Sequence, residues 1–196
     1  MRSFRPPRPL PVLLVALLAA GGCATIENLV RLGQVRFFLD RVGEARLAGI
    51  DLDALRERRE VDAEEILRVA SAIRAGSVPL DLVLHVGAEN PSTNSVEVER
   101  VVLDWTLFLR GRETVKGVVD RALEIEPGSS SDLPVAIELD LYRFFREDAG
   151  DLIELARGLV TGTGGADLEL RARPTVYTPL GPIRYPQDIV LSGERQ

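Results

Sequence analysis

Residues 78–109 read VPLDLVLHVGAENPSTNSVEVERVVLDWTLFL, and their pattern decides the fold. In the first run Leu80, Leu82, Leu84, Val86 and Ala88 fall on one side, with Asp81, His85 and Glu89 on the other. In the second run Val101, Leu103, Trp105, Leu107 and Leu109 share a side. A period of two marks a strand with one buried face and one wet face. Between the runs, Asn90-Pro91-Ser92-Thr93-Asn94-Ser95 is built from turn formers, and Pro91 pushes Asn90 out of helical geometry. The apolar parity changes between Val98 and Val101, which predicts a bulge near Glu99-Arg100.

Working outward, Val35, Phe37 and Leu39 alternate, and a second alternating piece runs through Leu47–Leu52. Together they predict a long first strand broken near Arg41–Glu44, with Gly43 hosting a bulge. Asp51–Glu60 is densely charged. Asp62 followed by Glu65 matches a capping box, so a helix starts there. Ile66, Leu67, Ala70 and Ile73 give it one stripe for burial, and Gly76 ends it.

Downstream, Arg110-Gly111-Arg112-Glu113 is a polar turn, and Val115, Gly117 and Val119 resume the alternation. Pro127–Ser131 is a loop, and Leu133, Val135, Ile137, Leu139 and Leu141 predict another strand. Asp148–Val160 returns to a helical period and stops at Gly162-Thr163-Gly164-Gly165. Leu168–Tyr177 alternates, Thr178–Pro182 turns, and Ile183–Tyr185 with Ile189–Leu191 forms a last strand. The count is about seven strands with two inserted helices, an all-β immunoglobulin or fibronectin III-like sandwich.

The N-terminus carries the clearest functional signal. Met1–Arg8 is basic, Leu10–Ala20 is apolar, and Gly21-Gly22-Cys23 follows. An apolar run this short does not span a bilayer, which takes roughly 20 residues. Basic start, apolar stretch and small residues make an export signal over residues 1–22. Ala20-Gly21-Gly22-Cys23 resembles the lipobox of bacterial lipoproteins, except that Ala20 stands where leucine is usual. That resemblance implies acylation of Cys23, a tether over 23–34 and a folded domain over 35–194. The alternative is an ordinary secretory signal with an incidental cysteine. As the only cysteine, Cys23 has no partner for an internal disulfide, and acylation gives it a purpose. Ala24, rather than aspartate, follows it and favours the outer membrane, facing the periplasm.

Charge narrows the partners. The whole chain is −6, and losing Arg2, Arg5 and Arg8 with the leader takes it to −9. An acidic body repels nucleic acid and anionic headgroups, leaving the acyl chains as the expected membrane contact and no nucleic-acid partner.

No constellation of residues with catalytic or metal-binding chemistry stands out in the sequence. His85 is the lone histidine, read as an exposed strand residue, and no ordinary transition-metal ligand set accompanies it. Glu97 with Glu99, and Asp51 with Asp53, read as solvated faces before they read as acid–base or calcium pairs. Gly162–Gly165 follows a helix and lacks a lysine, so it is a helix stop and not a phosphate loop. Ser129–Ser131 lacks a base, and Trp105 belongs to the core. No catalytic residue, cofactor or metal is expected, and the chain is not read as an enzyme.

Three stretches carry a family resemblance: Ala88-Glu89-Asn90-Pro91, Leu103–Gly111 and Tyr177–Ile183. In order and spacing they resemble the type 2 late embryogenesis abundant (LEA) family, also called the water stress and hypersensitive response (WHy) domain, over roughly residues 35–194. The resemblance implies a sandwich fold, no catalytic site and a link to desiccation or other water stress. The function expected is a membrane-anchored, non-enzymatic envelope lipoprotein for stress protection or interaction; the alternative is a carrier of an apolar ligand such as a lipid, held in a slot between the sheets that the two helices flank.

Overall fold

The computed structural model describes residues 35–58, 60–145, 150–151, 154–155 and 168–192. The leader, Cys23, the tether, Gly162–Gly165 and most of the helix read at Asp148–Val160 lie outside the described residues.

The strands are β1 (Arg36–Leu47), β2 (Ile50–Asp51), β3 (Pro79–Glu89), β4 (Val98–Leu109), β5 (Arg112–Ile125), β6 (Ser130–Asp140), β7 (Leu168–Thr178), β8 (Gly181–Arg184) and β9 (Ile189–Ser192). The helices are α1 (Leu52–Arg58), α2 (Ala63–Ala75) and α3 (Leu141–Phe145). One sheet has the order β2-β1-β3-β6; the other runs β5-β4-β7-β8, with β9 also on β7. Among the described residues every strand pairing is antiparallel. The chain is an all-β sandwich with small helices.

The alternation in residues 78–109 builds its centre. Leu80, Leu82, Leu84, Val86 and Ala88 of β3 are buried, as are Val101, Leu103, Trp105, Leu107 and Leu109 of β4. Leu133, Val135 and Ile137 of β6 and Leu168, Leu170, Ala172 and Val176 of β7 complete the two inner faces. Each such valine, leucine or isoleucine stabilises the fold by about 1.5–3 kcal/mol relative to exposure. Trp105 needs an unusual neighbour. It lies opposite Gly117 of β5, where a Cβ would stand 2.7 Å from the indole Cζ2. Only glycine leaves the ring its place.

The expected bulge near Glu99-Arg100 is present as a register shift between Val98 and Arg100. The expected irregularity in β1 is also present, with shifts between Leu39 and Arg41 and between Gly43 and Arg46. Arg110 and Gly111, at φ 49° and 74°, close the β4–β5 hairpin in the left-handed region that suits the twist of the flanking strands.

Four expectations change. The described strands number nine, counting the two-residue β2. Leu47–Leu52 is not one alternating piece: Ala48 and Gly49 turn at positive φ, and Leu52 begins α1, burying Leu52 and Leu55. The last segment is two strands, β8 and β9, both laid on β7. The stripe on α2 is out of phase. The capping box forms, with the Asp62 N–H donating to Glu65 Oε2 at 2.9 Å. Yet Val69, Ala72 and Ile73 meet the core, whereas Ile66 and Leu67 are 58% and 62% exposed. Only the C-terminal half of this helix reaches the sandwich.

Candidate functional site

The described inner faces are occupied by core side chains, which leaves the outer faces to carry functional groups. His85 projects from the outer face of β3, opposite Arg41 and Pro134. Its side chain is only 13% exposed, a correction to the exposed residue expected. Its Nδ1 lies 2.7 Å from Asp132 Oδ2 and 2.9 Å from Arg41 Nη2, between an acceptor and a donor. Asp81, its neighbour by parity, pairs across the sheet with Arg46 and Glu138 instead. Among the described residues no hydroxyl or thiol joins the cluster, so it holds three strands together without a nucleophile to activate.

The acidic pairs have local duties. Asp51 accepts the Asp53 and Ala54 N–H groups at 3.0 Å each, capping α1, and the Ala54 bond leads in holding its carboxyl below the usual range. Glu97 and Glu99 are exposed. Among the described residues no three His, Cys, Asp or Glu side chains are placed to share a metal ion, and no helix is long and apolar enough to cross a membrane. Ser129 donates to the Glu126 carbonyl at 2.6 Å, as a turn residue does.

Asn90 is a group that pattern reading missed. It is fully buried. Its amide donates to the carbonyls of Val96 at 3.1 Å and Ile125 at 2.9 Å, and its Oδ1 accepts from Asn94 Nδ2 at 2.6 Å. Its backbone closes the ring: the N–H donates to Ser129 O, and the carbonyl accepts from Gly128 N–H. One side chain therefore joins the β3–β4 loop to the β5–β6 turn. The signal was Asn-Pro at a strand end, which marks a turn but not an interior amide.

The chain enters the sandwich at this same end. Arg36 of β1 pairs with Glu89 of β3, and their side chains meet at 2.6 Å. Tyr185 donates its hydroxyl to the Val35 carbonyl at 2.5 Å and meets the Phe37 ring edge-on at 5.8 Å. Burial pushes the phenol well above its ordinary pKa, so it stays a donor. Val35 and the start of β1 are thus fastened to both sheets. Helices α1 and α2 follow the opposite end of β1, where Leu47 pairs with Leu80.

The outer face of the second sheet carries a depression of about 710 Å³. Asp104, Thr106 and Phe108 of β4 form its floor, with Glu113, Lys116 and Val118 of β5 on one side. Arg171 and Arg173 of β7, Arg184 of β8 and Asp188 lie on the other. The Arg171 guanidinium stands 4.3 Å over the Phe108 ring. These residues alternate with core residues and meet only through strand pairing.

No family model and no curated protein matches the chain. Among solved structures, a protein of Arabidopsis thaliana aligns with TM-score 0.40 and 20% identity, over 60% of this chain and 70% of that one. A candidate LEA protein aligns with TM-score 0.39 and 12% identity, over 94% and 83%. A protein of Archaeoglobus fulgidus aligns with TM-score 0.29 and 14% identity, over 81% and 99%. The structural neighbours thus include a candidate LEA protein at low identity, and likenesses this distant carry no argument about function.

Proposed function

We propose that the chain is an exported, non-catalytic envelope domain of the LEA type 2 kind, acylated at Cys23 and acting through its surface in the response to water stress. The observation that supports this reading most is the filled space between the sheets. Leu84, Val86, Leu103 and Leu107 are each fully buried, where a ligand carrier would keep a slot. The alternative, an apolar-ligand carrier, has no such opening among the described inner faces.

The stretches that carry the family resemblance are the end of β3, the β4–β5 hairpin and the β7–β8 hairpin, the points that set strand order. The fastening of Val35 by Tyr185 suits a domain held by its N-terminal segment. Residues 23–34 would reach about 40 Å when extended, at ~3.3–3.6 Å per residue. The proposed action is physical. A hydrated acidic surface, kept dense near the bilayer by the tether, separates neighbouring proteins as water is withdrawn.

The test dries a membrane-bound reporter enzyme in cells making either the native chain or Cys23→Ala. Higher reporter survival with the native chain, lost in the variant, is expected. Equal survival in both and in cells lacking the gene would overturn the proposal.

A further inference from the structure

The depression on the second sheet holds more donors than the chain itself satisfies. Arg171 Nε bonds Glu169 Oε1 at 2.6 Å, Arg173 Nε bonds Asp188 Oδ1 at 2.7 Å, and Arg184 Nη2 bonds Asp104 Oδ2 at 3.0 Å. A guanidinium carries five N–H donors, so each pair fixes an arginine head and leaves donors over. Lys116, the only lysine in the chain, has no ion-pair partner among the described residues. It lies opposite Thr106, which lies opposite Arg171. The row Lys116–Thr106–Arg171 crosses three adjacent strands, spaced roughly 5 Å apart. The Thr106 hydroxyl also lacks a hydrogen-bond partner among the described residues. Four cations and three carboxylates line the depression, against the −6 of the whole chain.

We infer that this trough binds an oxyanion-bearing ligand, a phosphate or a carboxylate, seated on Lys116, Thr106 and Arg171. Charge-assisted bonds from Lys116 and Arg171 flank a neutral hydroxyl donor, a set that matches an anion with several acceptor oxygens. Phe108 under Arg171 holds one of the cations in place before the ligand arrives. Arg173 and Arg184 lie along the same trough, so a second oxyanion on the same ligand finds donors too. The site is open to water, and its affinity falls as salt rises.

The single lysine makes the test specific. Dimethylation of the mature chain with ¹³C-formaldehyde keeps the charge and gives one side-chain amine signal, from Lys116. Titration with tripolyphosphate at low salt should shift that signal saturably. Calorimetry should show binding weakened at least about tenfold by Lys116→Gln, a loss typical of a charge-assisted contact. Arg74→Gln, on the exposed side of α2, should change it little. Titrations with inorganic phosphate and with succinate distinguish the two oxyanions, and a saturable response to either supports the site. No saturable shift, equal weakening by both variants, or binding to phosphatidylglycerol vesicles without any response to the small anions would overturn the inference.

Discussion

Replacing Asn90 by alanine should cost about 3–5 kcal/mol. The side chain is fully buried and makes three hydrogen bonds, two to main-chain carbonyls and one to Asn94. Alanine leaves the Val96 and Ile125 carbonyls and the Asn94 amide without this partner in the interior, each worth roughly 1–3 kcal/mol and not fully additive. A domain of this size has about 5–15 kcal/mol in total, so the loss is a large fraction. Aspartate should cost more, because its carboxylate faces two carbonyl oxygens that the amide had satisfied as a donor. Asn94→Ala should cost less, since it removes one bond to Asn90. Urea unfolding gives the answer: midpoints falling in the order Asn94→Ala, Asn90→Ala, Asn90→Asp, with unchanged slopes. A loss below about 1 kcal/mol for Asn90→Ala would refute the role given to this residue.

Gly117→Ala should destabilise by about 1–3 kcal/mol, because its Cβ meets the buried Trp105 ring at 2.7 Å, whereas Gly87→Ala should cost less, because the exposed Phe38 ring that it meets can swing away; thermal unfolding of both checks the order. Burial pushes the Asp140 carboxyl up, but bonds from the Val78 N–H, the Ser77 side chain and the Tyr142 N–H, with Arg143 nearby, outweigh it and hold the group below its ordinary 3.8. Its stabilisation is therefore present above about pH 4 and lost as pH falls further, so Asp140→Asn should flatten the acid limb of a stability–pH curve. Tyr185→Phe removes the bond to the Val35 carbonyl and should cost about 1 kcal/mol, with faster amide exchange at the start of β1 as the local readout.

The central strands were legible because β3, β4 and β6 each bury one face, so their alternation is written directly in residue order. Bulges were legible for the same reason: a bulge breaks parity at a definite position, as at Val98–Arg100. Helix α2 was legible at its cap and wrong in its facing. The capping box is local chemistry, but the burial of Val69 and Ala72 over Ile66 and Leu67 depends on where the helix meets the sandwich. Helix α1 was hidden by its charges, since Leu52 and Leu55 are its only buried residues. Asn90 was read as a turn former because nothing in a linear pattern shows a polar side chain turning inward. The trough was illegible for a related reason. Lys116, Thr106 and Arg171 come from three strands, and only the register places them side by side.

The tethered, surface-acting domain is tested most directly by the intact mass of the protein extracted from bacterial membranes. A chain beginning at Cys23 and carrying the added mass of its acyl groups is the expected result. A chain recovered from the soluble fraction with an unmodified Cys23 thiol would contradict it.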